Sequence, residues 1–330
     1  MTNFNYRVVS KNRIIENLKP FSSLKICAMV KGNAYGFGVD EMVALLKDKV
    51  DFFGVANIDE AMHVRSLCKD KSILIAGKTF DPHLCVKNNL SYAVCDLADA
   101  MYAEKGAKVH IKIDSGMNRL GFKRQDEMLT AIEILREKGA NIEGVYTHFA
   151  TLDCDHDFFL QQYARFKKFL AVFPKDLHPI IHVGGSWAMA KEIPEAQMIR
   201  IGKGIYHGAI SIESRITLIK EIKKGERVGY ANGFVADRNL KIGIVPVGYA
   251  DGLKRSLSNN YEVLINGEPC KIVGNVCMDM FACDISQMRA HVGQKVMVMY
   301  DEAVMAKALK TSSYETTTNF NHLRGKTIIK

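Results

Sequence analysis

A lysine that ends an apolar run is the first residue of this chain with chemistry to offer. Lys31 follows Ile26-Cys27-Ala28-Met29-Val30 and opens the Gly-rich segment Gly32-Asn33-Ala34-Tyr35-Gly36-Phe37-Gly38. Burying an ammonium is costly, so burial lowers its pKa and leaves a nucleophilic amine. Such an amine forms a Schiff base with an aldehyde cofactor. A solvent-facing lysine just past a strand is the plainer reading of this segment taken alone. Four other segments argue against it. His110, Lys112 and Asp114 alternate with Val109, Ile111 and Ile113, and Tyr146 and His148 alternate with Val145, Thr147 and Phe149. His182 and Ser186 share a phase against Ile181 and Val183, and Arg200 stands between Ile199 and Ile201. Fully buried parallel strands are normally apolar in both phases. Core histidines satisfied by backbone carbonyls explain any one of these segments and explain four together poorly.

The elements that must position these residues are short, apolar and β-branched. They are Ile26–Val30, Phe52–Ala56, Ile73–Gly77, Ser91–Cys95, Val109–Asp114, Ile142–Phe149, Ile180–Gly185 and Met198–Gly202. Helical patterns such as Asp40–Leu46, Ile58–Cys68, Gln125–Lys138 and Phe158–Val172 lie between most of them. Eight strands alternating with helices predict an α/β fold, a (β/α)8 barrel, although the connectors between the third, fourth and fifth strands are short. Active sites in such barrels lie at the C-terminal ends of the strands, where Lys31, His148, Ser186 and Arg200 all fall. After Gly208 the texture changes to short β-rich segments, Leu240–Val247, Glu262–Ile265, Lys271–Val276 and Lys295–Tyr300, with turn signals such as Asn266-Gly267. The expected domains are a barrel over residues 1–210, with the first residues packing on the second domain, and a mostly β domain over 211–330.

Composition excludes several classes of function. The 330 residues are 48% apolar and 25% charged, and no apolar run is long enough to span a membrane. The N-terminal residues lack the apolar core of a secretory signal, so a cytoplasmic location is expected. The eight dispersed cysteines form no C-x-x-C pair and read as reduced thiols, several of them inside apolar runs, not as disulfides or a zinc site. The net charge of +9 is spread out with no run of interleaved basic and aromatic residues, which favours small anionic ligands over nucleic acid.

Six segments, in order, resemble the bacterial alanine racemases. They are Val30-Lys31-Gly32-Asn33-Ala34-Tyr35-Gly36, the run His110–Phe122, Tyr146-Thr147-His148-Phe149-Ala150, Arg200-Ile201-Gly202, Gly248-Tyr249-Ala250-Asp251-Gly252 and Val276-Cys277-Met278-Asp279. The first would be shared with other barrel proteins that bind pyridoxal phosphate. Its coexistence with the last two is what discriminates. The resemblance implies pyridoxal 5'-phosphate as cofactor and alanine as substrate, interconverted between its L and D forms for the cell wall. Racemisation needs protons removed and returned on opposite faces of one plane, so two bases are the economical solution. The resemblance assigns these roles to Lys31, which also anchors the cofactor, and to Tyr249. A phenol near pKa 10 is a poor base at neutral pH, so nearby cations must favour the phenolate. A packing tyrosine at a strand–turn junction is the plainer alternative for Tyr249.

By the same resemblance Arg200 faces the pyridine nitrogen. A guanidinium holds its proton too tightly to give it up, which leaves that nitrogen largely unprotonated. His148 and His182 would buttress the arginine and the tyrosine. Tyr35, Ser186, Tyr314 and the backbone amides of Gly202 and Lys203 are implied for the phosphate, which hydroxyls and N–H groups suit. Arg119 and the N–H of Met278 are implied for the substrate carboxylate. A carbamylated Lys112 and an ordinary Lys112 with a different partner both remain open as the group beside Arg119. Head-to-tail pairing is also implied, with Tyr249 and Met278 completing a neighbour's site in a homodimer. Two departures stand out: Gly185 replaces the usual Asn before Ser186, and the tail offers Arg324 and Lys326 in place of a spaced arginine pair. Two alternatives stay open. A racemase of broader specificity would share the chemistry, whereas a non-catalytic pyridoxal-phosphate carrier would generally lack the β domain.

Overall fold

A computed structural model describes residues 4–150, 154–184 and 193–330. Two compact units divide the chain, and neither is contiguous. One comprises 17–31 and 42–205; the other comprises 1–16, 32–41 and 206–330.

In the first unit eight strands close a parallel barrel in sequence order. Strand β1 (Tyr6–Val9) belongs to the other unit, so the barrel runs through β2 (Lys25–Met29), β3 (Phe52–Val55), β4 (Ser72–Ile75), β5 (Ser91–Val94), β6 (Lys108–Lys112), β7 (Asn141–His148), β8 (Ile180–Gly184) and β9 (Met198–Ile201). The seam is closed by β9 against β2, with Cys27 opposite Arg200. Helices Ile58–Leu67, Gln125–Glu137 and His156–Val172 match the amphipathic patterns in the sequence. The short connectors hold helices of six residues each, Pro82–Lys87 and Leu97–Tyr102, started by the carboxylates of Asp81 and Asp96, which accept from Leu84 N and Asp99 N. The polar phase read in the sequence is buried: His110, Lys112, His182 and Arg200 are all buried. Asp114 serves a different purpose, since its Oδ1 accepts from Gly116 N and Asn118 N and shapes the loop before Arg119.

The second unit carries a nine-stranded sheet. Its later strands are β10 (Ile210–Arg215), β11 (Leu218–Ile222), β12 (Leu240–Val245), β13 (Glu262–Ile265), β14 (Glu268–Val273), β15 (Phe281–Asp284), β16 (Lys295–Met299) and β17 (Lys326–Ile329). The order across the sheet is β11-β12-β15-β14-β13-β16-β10-β1-β17. β1 pairs antiparallel with β10 and parallel with β17, so the tail containing Lys326 is knitted into the sheet. Val228, Ala236, Leu240, Ile242, Val273 and Ala282 form one of its apolar clusters. Two helices, Glu302–Leu309 and Ser313–Asn319, interrupt the β texture near the C-terminus. Among the described residues no helix is long and apolar enough to cross a membrane.

Directly after Lys31 the backbone does something unusual. Gly32, Asn33, Ala34 and Tyr35 take φ values of 60°, 53°, 51° and 57°, a complete left-handed turn. For residues with a Cβ that conformation costs about 1–2 kcal/mol each. Local bonds over-determine it: Gly36 N donates to Gly32 O (3.2 Å), Gly38 N to Asn33 O (3.0 Å), and Val39 N to Asn33 Oδ1 (2.8 Å). Gly36 is held against the Ser313–Asn319 helix so closely that a Cβ there would lie 2.1 Å from Thr317 O. Asn33 combines tolerance of the left-handed region with an acceptor for Val39. Asn33→Ala should therefore lower stability by about 1–2 kcal/mol, seen as a lower urea midpoint at unchanged m-value; an unchanged midpoint would contradict this account of the turn.

Candidate active site

The C-terminal mouth of the barrel gathers cations. Lys31 lies two residues after β2, Lys112 ends β6, Arg119 lies on the loop after β6, and Arg200 lies on β9. Lys31 keeps access to solvent, yet the protein packed around it lowers its pKa, with Arg119 and Arg200 adding to the effect and Glu60 opposing it. Lys112 is buried and is lowered to about 8, by desolvation first, with Cys95 opposing and Arg200, Arg119 and Lys31 each adding a smaller push downward. Its Nζ stands 5.4 Å from the centroid of the Tyr146 ring. His148 is lowered to about 3 by burial and by the same four cations, so it is neutral at physiological pH. Arg119 is exposed at the mouth.

Arg200 is 5% exposed, and everything around it accepts. Its Nη2 donates to Thr147 O (2.7 Å), its Nη1 meets His182 Nδ1 (2.8 Å), and its guanidinium carbon lies 4.3 Å over the Tyr146 ring centroid. Gly184 makes room for this. A Cβ there would fall 2.5 Å from Arg200 Nη2 and 2.6 Å from His148 Nδ1. Gly202 and Lys203 follow at the end of β9, where a helix of four residues starts at Lys203. Ser186, together with Gly185, lies outside the described residues.

The second unit holds two further pairs of the expected residues. Tyr35 and Tyr314 meet with ring centroids 5.8 Å apart, and Tyr206 joins them at 5.4 Å from Tyr35. Tyr249 and Met278 sit on adjoining turns: Tyr249 N donates to Cys277 O and Ala250 N to Met278 O, both at 3.0 Å. Gly248 permits that approach, because a Cβ there would lie 2.2 Å from Met278 O. Both side chains are half exposed, Tyr249 by 46% and Met278 by 52%. Lys31 and Tyr249 belong to different units.

The residue that the sequence reading undervalued is Arg324. Its guanidinium grips the fully buried Asp251 through Nε and Nη2 and reaches Asp279 through Nη1, each at 2.8 Å. Asp251 Oδ2 also accepts from Gly248 N (2.9 Å). One side chain thus ties the Tyr249 turn to the Met278 turn. The Tyr249 and Met278 motifs contain both aspartates, but nothing in their spacing connects them to the tail.

Family models for the alanine racemase N-terminal and C-terminal domains match residues 9–209 and 209–328. The chain belongs to the alanine racemase family. The alanine racemase of Streptococcus equi subsp. zooepidemicus is 32% identical over 326 residues, covering 91% of this chain and 88% of that protein. That of Streptococcus gordonii is 37% identical over 277 residues, covering 76% and 75%. Among solved structures, alanine racemase from E. faecalis superimposes with a TM-score of 0.92 at 28% identity, covering 99% of this chain and 98% of that one. The Bacillus anthracis enzyme with bound L-Ala-P gives 0.91 at 26% identity, covering 100% and 96%. Membership makes this protein a racemase.

Two measurements follow from the geometry. Arg324→Ala leaves a buried carboxylate with reduced compensation, and because the arginine is half in water the loss should be about 2–3 kcal/mol. Thermal unfolding should show it, and a drop near zero would mean that the two turns hold themselves. Lys112 gives a pH signature in the cofactor-free protein. Its folded pKa lies below its unfolded value of 10.5, so between about 8 and 10.5 the unfolded chain binds more protons and stability rises with pH. Lys112→Met should flatten that rise and add roughly 3 kcal/mol at pH 7. Parallel stability curves for the two proteins over pH 7–10.5 would refute a strained charge at Lys112.

Proposed function

We propose that this protein interconverts L- and D-alanine with pyridoxal 5'-phosphate as cofactor, using Lys31 and Tyr249 as the two bases, and so supplies D-alanine for peptidoglycan in the cytoplasm. The observation that carries the reading is the cation cluster at the barrel mouth. Arg119 and Arg200 weaken the hold of Lys31 and Lys112 on their protons, an arrangement that an anionic ligand would relieve. A phosphate and a carboxylate are such anions.

The donor set suits that cofactor. Lys31 offers an amine of lowered basicity for an aldehyde carbon. Arg200, fixed by His182 and the Thr147 carbonyl, offers a donor that cannot surrender its proton to a ring nitrogen. The hydroxyls of Tyr35, Ser186 and Tyr314 and the amides of Gly202 and Lys203 are the proposed phosphate ligands. His148, neutral among the cations, supports Arg200 without adding charge. Bound there, the cofactor supplies an electron sink that acidifies the hydrogen on the substrate's α-carbon.

The chain's own residues then do three things. Arg119 and the N–H of Met278 hold the substrate carboxylate and fix the orientation of the α-carbon. Lys31 removes or returns the α-proton on one face, and Tyr249 on the other. The held proton of Arg200 limits how far negative charge can build at the ring nitrogen, which restrains side reactions. Because Tyr249 and Met278 are exposed in their own unit, we assign them to the site of a second copy of the chain, giving a homodimer with two composite sites.

Incubation of each alanine enantiomer with the cofactor-loaded protein in deuterated water tests the reaction. Both should lose optical activity and gain deuterium at Cα with saturable rates, and failure of both would refute a racemase acting on alanine. Tyr249→Phe should lower kcat by about 10²–10⁴-fold and affect one direction of proton transfer more in isotope exchange. Equal loss of solvent exchange at Cα from both enantiomers would remove Tyr249 from the role of second base. A fully active monomer in sedimentation would contradict the shared sites.

A further inference from the structure

Arg200 is the first member of a longer buried line within the barrel. His182 Nε2 lies 2.7 Å from His110 Nδ1, His110 Nε2 lies 3.0 Å from Glu143 Oε2, and the same oxygen accepts from Ser91 Oγ at 2.5 Å. His110 and His182 are fully buried. Glu143, on β7, is partly exposed where the line leaves the barrel. Gly144 opens the space, since a Cβ at that position would lie 2.2 Å from His110 Nδ1.

Hydrogen-bond chemistry gives this line one direction. A guanidinium can only donate, so His182 Nδ1 must be bare and its proton must sit on Nε2. That proton occupies His110 Nδ1 as acceptor, so His110 also carries its proton on Nε2 and needs an acceptor there. A second cationic ring is disfavoured, because burial and Arg200 both depress the basicity of these imidazoles. Removing the carboxylate leaves two poor choices. Either His110 keeps an orphaned buried N–H, or both rings reverse their tautomers and His182 turns an N–H toward Arg200. The second choice pushes the guanidinium out of place.

We propose that Glu143, steadied by Ser91, is a remote positioning residue that selects the tautomers of His110 and His182 and thereby holds Arg200 in its working orientation. The consequence at Arg200 rests on the proposed reaction, whereas the tautomers themselves do not. They are measurable without cofactor, from long-range ¹H–¹⁵N correlations of protein labelled with ¹⁵N-histidine and assigned with His182→Asn. The wild-type protein should show both rings neutral with bare Nδ1. Glu143→Leu should introduce the reversed tautomers or a second state, and should lower kcat at least about tenfold with KM within about twofold. Glu143→Gln, which keeps an acceptor oxygen without the charge, should restore the wild-type tautomers and recover kcat relative to the leucine variant. A wild-type ring protonated on Nδ1 would overturn the relay, and so would unchanged tautomers in Glu143→Leu. If the leucine variant fails to fold, the wild-type and glutamine spectra decide alone. Predicted tautomers in a protein that does not racemise alanine would support the relay and overturn only the proposed reaction.

Discussion

The constraint on which the site depends is a guanidinium sealed inside a barrel. A charge in that position is tolerable only if its donors meet acceptors of fixed direction, and the barrel provides them from β7 and β8. Thr147 contributes a carbonyl from β7, His182 a ring nitrogen from β8, and Tyr146 the face of a ring. None of these partners carries a full negative charge. The positive field of Arg200 is therefore left largely uncancelled, and it reaches Lys31, Lys112 and His148. Neutral imidazoles and a weakened lysine follow from burial first, with that field adding to it.

The second unit solves a different problem, that of presenting an exposed tyrosine with precision. A half-exposed side chain cannot be fixed by packing, so its backbone has to be fixed instead. Asp251 stands in for the missing packing: it accepts from Gly248 N, sits buried under the turn and receives the fork of Arg324. The third arm of that fork, on Asp279, extends the constraint to the neighbouring turn. Bidentate arginine is suited to this because its planar fork loses little freedom on binding.

Much of this architecture was legible in the residues, for a definite reason. The barrel strands alternate with amphipathic helices, and their apolar runs match the observed strands to within one or two residues. The odd polar phase in β6, β8 and β9 pointed to the mouth because a buried charge has no ordinary structural use. Local signals failed where partners lie far apart in sequence. Arg324 looked like a departure from a motif, and only the fold brings it to Asp251 and Asp279. Glu143 reads as a solvent-facing residue at the start of β7, and nothing near it in the chain announces His110. Strands β1, β10, β11, β15 and β17 escaped the pattern, and it is pairing with other strands that identifies them. The left-handed turn after Lys31 is another case, since Gly32 and Asn33 hint at it but Ala34 and Tyr35 do not.

The place of β1 in the nine-stranded sheet has a consequence for how the molecule is made. Its two hydrogen-bonded neighbours, β10 and β17, are both encoded after the barrel, and β17 comes at the far end of the described chain. While the barrel strands emerge from a ribosome in order, each beside the one before it, the first strand has no partner to pair with. The sheet can be completed only once residues 326–329 have been made. Until then Arg7, whose Nη2 donates to the carbonyl of Phe320 in the finished protein, trails as an open edge.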